Sequence, residues 1–266
     1  MRRFAALLVL PFAFAGCGGE ATSLDPVAEA ATKTADVGSA RFQLEMSIPD
    51  PDTGETLHFR GPGLIADHGE LISMKMHLDP TKDTPAFTMD TVMTDDAMYL
   101  HSSLFQIAMP RGKQWLKARE DDPVGNIGQN DPGQMLDYLQ GAGSVEKIGS
   151  DTVRGLRTTK YRARIELGKV VEKIPEERRA RMQHAIDVLH DIGVNEIPMI
   201  VWVDDDDLVR RQTMDWTVKN PDDPSDRFHL KATLELFDFG TKARVVVPPV
   251  AKTMSYAKFL KQAGGG

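Results

Sequence analysis

The sequence predicts an α+β fold in which a large curved antiparallel sheet of about ten strands, an open half-barrel, carries helices over its concave face. Three observations lead there. Period-two alternation of apolar and polar residues recurs through most of the 266 residues. The alternating runs are separated by short turn signals such as Pro51-Asp52-Thr53-Gly54, Asp67-His68-Gly69 and Thr94-Asp95-Asp96, which suit antiparallel hairpins. Only two or three segments read as helices. A sheet this long curls because strand twist accumulates, so those helices are the available cover for one face.

The chain begins MRRFAALLVLPFAFAGC. Arg2 and Arg3 form a positive leader, Phe4 to Ala15 an apolar run, and Phe14-Ala15-Gly16-Cys17 a small-residue cleavage site, the layout of a secretory signal. With cysteine directly after the small residues it also looks like a bacterial lipobox, in which the Cys17 thiol takes a diacylglycerol. Cys17 is the only cysteine, so an intrachain disulfide is excluded. An ordinary signal with a chance cysteine and an uncleaved anchor remain the alternatives. The apolar run is short of the roughly 20 residues a bilayer span takes, and Pro11 interrupts it. The expected organisation is a signal peptide over 1–16, a lipidated N-terminus and tether over 17–24, one domain over 25–260 and a flexible tail over 261–266.

Asp25 to Val37 is Ala-rich with Pro26 at a first helical position, and Gly38-Ser39 ends it. In Arg41 to Ile48, the residues Phe42, Leu44, Met46 and Ile48 face one way. Glu70 to Leu78 repeats the pattern with Ile72, Met74, Met76 and Leu78. Ala86 to Thr94 offers Phe87, Met89 and Met93, with Thr91 weakening the alternation. Ala97 to His101 and Lys113 to Lys117 bracket a loop at Pro110-Arg111-Gly112.

Asp121 to Gly133 reads as a polar loop that leads into a short helix, Pro132 to Gln140, with Asp131 as its cap. Val145 to Gly149 and Thr152 to Leu167 return to strand, the latter with Tyr161 and Ile165 on its apolar side. Pro175 to Ile192 is the strongest helix; Met182, Ala185, Ile186 and Leu189 form one apolar stripe. Ile197 to Val203, Leu208 to Val218, Phe228 to Leu236 and Arg244 to Val247 complete the strands, all antiparallel by their connections. Asp204 to Asp207 is the turn between the first two of these.

The order of these elements resembles the LolA-like superfamily, and within it the LppX/LprAFG lipoproteins of mycobacteria and other actinobacteria. The resemblance rests on the lipobox at Cys17, Met98-Tyr99-Leu100 with Gly112-Lys113-Gln114-Trp115, and Val153-Arg154-Gly155 with Thr158-Thr159-Lys160-Tyr161. It continues through Val201-Trp202-Val203-Asp204 to Leu208-Val209-Arg210-Arg211, Phe237-Asp238-Phe239-Gly240 and Val247-Pro248-Pro249. It implies a cavity between sheet and helices that holds the acyl chains of a lipid or lipoglycan in transit. The lining then comes from the apolar faces, namely Phe42, Leu44 and Met46, Ile72, Met74 and Met76, and Phe87, Met89 and Met93. Tyr161 and Ile165, with Met182, Ile186 and Leu189 of the long helix, complete it. Seven methionines lie in alternating strands, and thioethers adapt to variable acyl chains. The same apolar face would equally serve a filled core.

The formal charge is −7, and −9 once Arg2 and Arg3 are removed, which disfavours nucleic acid as a partner and gives no overall help toward anionic head groups. Membrane contact is then expected from the acyl anchor or from locally presented apolar surface. No nucleophile elbow, phosphate-cradling glycine loop or His-Glu-x-x-His helix occurs, and the seven histidines are scattered. Asp204 to Asp207 lacks the spacing of a calcium loop, and reads as a solvated turn with Arg210 and Arg211 as pairing partners. The expected protein is a non-enzymatic, cofactor-free lipoprotein on the outer face of the cytoplasmic membrane. It would carry a lipid between membranes, with a membrane-embedded transporter as a compatible partner. The rival reading is a structural or sensory envelope lipoprotein that binds another protein.

Overall fold

Asp25 caps the first helix: its carboxylate accepts hydrogen bonds from the backbone N–H groups of Val27 (2.9 Å) and Ala28 (3.4 Å), and Pro26 takes the first helical position. The computed structural model describes residues 25–50, 53–119, 122, 132–191, 193–219 and 227–263. The signal segment, Cys17, the Asp131 cap and the Gly264 to Gly266 end lie outside the described residues.

Helix α1 (Pro26–Asp36) leads into five strands, β1 (Ala40–Pro49), β2 (Thr56–Ala66), β3 (Leu71–Leu78), β4 (Phe87–Thr94) and β5 (Ala97–Ser102). A short helix α2 (Ser103–Gln106) and strand β6 (Trp115–Ala118) follow, then α3 (Pro132–Gln140), β7 (Ala142–Val153), β8 (Leu156–Glu166), α4 (Leu167–Lys173) and α5 (Glu176–Asp191). The last part holds β9 (Glu196–Asp204), β10 (Val209–Lys219), β11 (Arg227–Phe237), β12 (Thr253–Ser255) and α6 (Tyr256–Ala263). All twelve strands belong to one open sheet, ordered β12-β6-β5-β4-β3-β2-β1-β11-β10-β9-β8-β7. Neighbours in sequence are neighbours in space over most of it, as short hairpins require. The closing step is β1 against β11, which joins the two meanders with Phe42 opposite Leu236.

Five details differ from the sequence expectation. Among the described residues the strands number twelve. β2 is a full strand although Gly61-Pro62-Gly63 breaks its alternation. The β7–β8 turn falls at Arg154-Gly155, with φ of 48° and 82°, because a two-residue turn with both φ positive matches strand twist. Arg244 to Val247 forms no strand; the chain instead reaches β12, which pairs with β6 in parallel. Finally, Leu167 opens the short helix α4 rather than ending a strand, and α6 continues to Ala263.

Helices cover one face of the sheet. Val27, Ala30, Ala31 and Thr34 of α1 are buried at helical spacing. The Thr34 hydroxyl donates to the Ala30 carbonyl (2.6 Å) and accepts from the Val209 N–H (2.9 Å), where β10 has a bulge that frees this donor. Helix α3 packs beside α1, and Met135, Tyr138 and Leu139 join the same core as Leu167 and Val170 of α4 and Met182 and Ile186 of α5. Arg178 of α5 meets the buried carboxylate of Asp137 on α3 at 2.9 Å. The opposite face is polar and laced with cross-strand ion pairs such as Arg211–Glu235, Lys75–Asp90 and Arg162–Glu146.

Candidate functional site

Residues directly opposite in antiparallel strands point to the same side, so the register assembles the covered face row by row. One row runs Ala163, Met199, Met214, Ala232, Met46, Phe59, Leu78, Phe87, from β8 across to β4. A second runs Tyr161, Val201, Gln212, Leu234, Leu44, Gly61. A third links Leu236, Phe42, Gly63, Met74, Thr91, Leu100 and Leu116. A fourth carries Ile65, Ile72, Met93 and Met98.

Every strand residue expected to line a cavity therefore lies on this one face. Phe42, Leu44, Ile72, Met76, Met93 and Ile165 are buried, and Met46, Met74, Phe87, Met89 and Tyr161 half-buried. Met182 and Ile186 are buried under α5, with Leu189 half-buried at its end. The fully buried members pack against one another and against α1, α3 and α4. The half-buried set, Met46, Met89 and Phe87 with Phe59, Trp216 and Leu230, sits toward one end of the face. Tyr161 alone of the expected residues also borders an open groove of about 880 Å³ between α1 and the β8–β9 strands. The walls of that groove mix apolar surface with charged side chains, Lys33, Lys173, Asp36 and Asp205 among them.

Two polar side chains on the covered face went unassigned in the sequence. Gln212 is completely buried in the second row, and neither atom of its amide has a hydrogen-bond partner among the described residues. Thr91 is buried in the third row with its hydroxyl unpartnered. A signal for each was present: Thr91 interrupts the apolar phase of β4, and Gln212 occupies the phase of Met214 and Trp216 in β10. An unpartnered amide or hydroxyl in an apolar interior costs about 1–3 kcal/mol, and the Trp216 indole N–H, on the same face of β10, is a further buried polar group without a hydrogen-bond partner among the described residues.

The acidic turn is structural. Asp204 is buried, accepts from the N–H groups of Asp206 (3.0 Å) and Leu208 (2.9 Å), and pairs with Arg210. Arg211 does not join it; its guanidinium reaches Glu235 at 2.9 Å, because β10 turns Arg211 to the polar face. Asp205 and Asp207 make exposed pairs with Arg157 and Lys33. Among the described residues, no cluster of three or more His, Cys, Asp or Glu side chains is arranged to hold a metal ion.

On the polar face, Trp202 donates its indole N–H to Asp151 (2.9 Å), with Lys160 over its ring at 5.0 Å. That hydrogen bond, with one from the Thr152 N–H, holds the Asp151 carboxyl below its ordinary range. Asp96 is likewise lowered, by the Thr94 hydroxyl first and Lys117 second, and Lys117 is raised by the same pairing. None of these groups reaches the covered face.

No protein-family model matches the chain. It is similar, at 23% identity over 180 residues and 64% of its length, to an uncharacterized 31.2 kDa protein from the rplA–rplJ intergenic region of Streptomyces griseus. That match spans 57% of the Streptomyces protein, less than two thirds of it. Two solved lipoproteins of the LppX/LprAFG group are also similar to it. One is LprF from Mycobacterium bovis, at 16% identity over 84% of this chain and 94% of that one, with a TM-score of 0.46. The other is LppX from Mycobacterium tuberculosis, at 13% identity over 84% of this chain and 100% of that one, with a TM-score of 0.45.

Proposed function

We propose that this chain is a lipid-anchored protein of the cell envelope, held at the outer face of the cytoplasmic membrane through Cys17, that binds a lipid or lipoglycan between its sheet and helices and carries it between membranes. The observation that carries the reading is the unbroken apolar row from Met199 to Phe87, half-buried at its Met46–Phe59–Phe87 end. An acyl chain lying along that row would gain about 0.8 kcal/mol per buried CH₂. The methionines can re-pack around chains of different length or branching. Gln212 and Thr91 supply hydrogen-bonding groups where a glycerol, ester or sugar of the same lipid could meet them. The work asked of the protein is binding and shielding, which needs no catalytic group, and a membrane-embedded transporter fits as a partner that loads or unloads it.

A second reading is favoured by a specific observation. Phe42, Leu44, Ile165, Met182 and Ile186 are each at most 1% exposed, so the deep part of the face is already filled, as in a structural lipoprotein that binds a protein partner. Native mass spectrometry with organic extraction of the full chain carrying Cys17→Ser separates the two. A lipid released in stoichiometric amount supports the carrier, and its mass identifies the ligand class. A ligand-free mass with no uptake of added envelope lipids supports the filled scaffold.

A further inference from the structure

Two stretches of this acidic chain hold no acidic residue. Ser102 to Arg119 contains Arg111, Lys113, Lys117 and Arg119, and Thr241 to Gly266 contains five further cations. Nine of the 32 lysines and arginines thus lie in stretches with no acid of their own, in a protein of net charge −7, although Lys117 pairs with Asp96 and Arg119 adjoins Glu120. Lys113 and Val250 are 137 positions apart, yet the Lys113 ammonium donates to the Val250 carbonyl at 3.3 Å and to that of Ala251 at 3.0 Å. The Gln114 N–H donates to the Lys252 carbonyl (2.8 Å), and the parallel β6–β12 pairing sets Thr253 beside Trp115. Phe105, next to α2's exposed Leu104, meets Phe259 of α6 edge to face at 6.0 Å. The fold gathers Phe105 to Trp115 and Val250 to Phe259 into one corner at the β12 edge of the sheet, while Thr241 to Val245 packs beside Ser39 and His68.

The same corner holds bulky aliphatic side chains in water. Ile107 is 91% exposed and Val250 87%, with Leu104 and Leu260 near half exposure. Of the eight large exposed hydrophobic residues among those described, six fall in these two stretches. Scattered single exposures are ordinary, but their concentration beside cations is not. Arg111, Lys252, Lys258 and Lys261 are exposed and, among the described residues, make no salt bridge.

We propose that this corner docks on the surface of an anionic lipid bilayer, Ile107 and Val250 entering the headgroup layer and the surrounding cations meeting lipid phosphates. Charge complementarity selects the occupant. Isolated aliphatic tips flanked by basic residues match the chemistry of an interface with acyl boundary below and phosphate above. The cations are mostly lysine, which is depleted from protein–protein contacts but extends readily to a lipid headgroup. The overall negative charge had counted against such contact, but the distribution reverses the sign locally. The docking stands whether or not the covered face takes a lipid; if it does, the corner sets the carrier's orientation on the membrane that donates or receives its load.

The test uses the full chain with Cys17→Ser, so that an introduced cysteine is the only thiol. An environment-sensitive fluorophore is placed at Ile107→Cys or Val250→Cys, and at Leu156→Cys on the β7–β8 hairpin as a control. Each protein is reconstituted in vesicles of phosphatidylcholine alone or with a quarter phosphatidylglycerol, containing brominated lipid as quencher. Docking predicts quenching at 107 and 250 and none at 156, only in the phosphatidylglycerol vesicles, and loss of that quenching in the triple variant Lys252→Glu, Lys258→Glu, Lys261→Glu. Equal quenching at 107 and 156, or none at 107, overturns the proposal. So does shielding of position 107 that depends on protein concentration instead of lipid, which would make the corner a contact between copies or with a protein partner. These side chains are exposed, so the substitutions leave the core intact, and circular dichroism of each variant checks this.

Discussion

The ring of Phe42 lies where a side chain at Gly63 would be: a Cβ at Gly63 would stand 2.1 Å from the Phe42 Cζ and 2.6 Å from the Ser73 carbonyl oxygen. The two residues are directly opposed in β1 and β2. Phe42 is fully buried because its neighbour has no side chain, which lets the ring fold down across the adjacent strand. Gly61 meets the same demand more severely, 1.8 Å from the Lys75 carbonyl oxygen. Gly63→Ala should therefore lower stability by about 1–3 kcal/mol through overpacking, read as a shift of the urea midpoint at constant slope. An unchanged midpoint would mean that β2 and β3 approach less closely than described.

The ion pair between Arg178 and Asp137 should be worth far more than the surface pairs. Its carboxylate is almost wholly buried, and both oxygens lie within 3.0 Å of the guanidinium. Arg178→Ala removes the guanidinium from a buried carboxylate and should cost about 3 kcal/mol. Arg162→Ala, which breaks an exposed pair with Glu146, should cost under about 1 kcal/mol. Equal losses in parallel denaturation curves would contradict the assigned burial.

Gln212 predicts a trade-off. Replacing its unpartnered buried amide by Leu should stabilise the fold by about 1–2 kcal/mol, seen as a higher melting temperature. If the amide serves a bound lipid, the same variant should release less extracted lipid per protein. Destabilisation by Gln212→Leu would instead show that the amide anchors the resting core.

The Asp96–Lys117 pair sets a pH dependence with a definite sign. Folding lowers the Asp96 pKa, so the native state binds that proton less readily than the unfolded chain. Its contribution is complete above the ordinary aspartate value of about 3.9 and fades as pH falls through the lowered one. Lys117, raised on folding, contributes below its ordinary value of about 10.4 and loses this as pH rises past the raised one. Both groups are solvent-accessible, so Asp96→Asn should cost well under about 1 kcal/mol near neutral pH. The gap from wild type should narrow as pH falls below the ordinary aspartate value of about 3.9, and a gap that widens in acid would reverse the assignment.

Alternation alone located β1, β3, β4, β8 and β10, because a strand with one face buried must place apolar residues at every second position. Asp25, Pro26 and Gly38 likewise marked α1 at both ends. The apolar face from Phe42 to Met93 was legible for the same reason, and the register places these residues on one side of the sheet. Local signals failed where a distant neighbour decides the conformation. β2 hides behind Gly61-Pro62-Gly63, whose glycines answer to Lys75 and Phe42. The Arg154-Gly155 turn and the switch from β8 to α4 depend on which strands pair. Sequence composition determined an acidic chain with one cysteine and strands apolar on one side. Only tertiary structure decided that Gln212 and Thr91 are buried there without hydrogen-bond partners among the described residues. It alone decided that the two acid-free stretches around Lys113 and Lys252 meet, since register and a parallel strand pair are long-range choices that no local window contains.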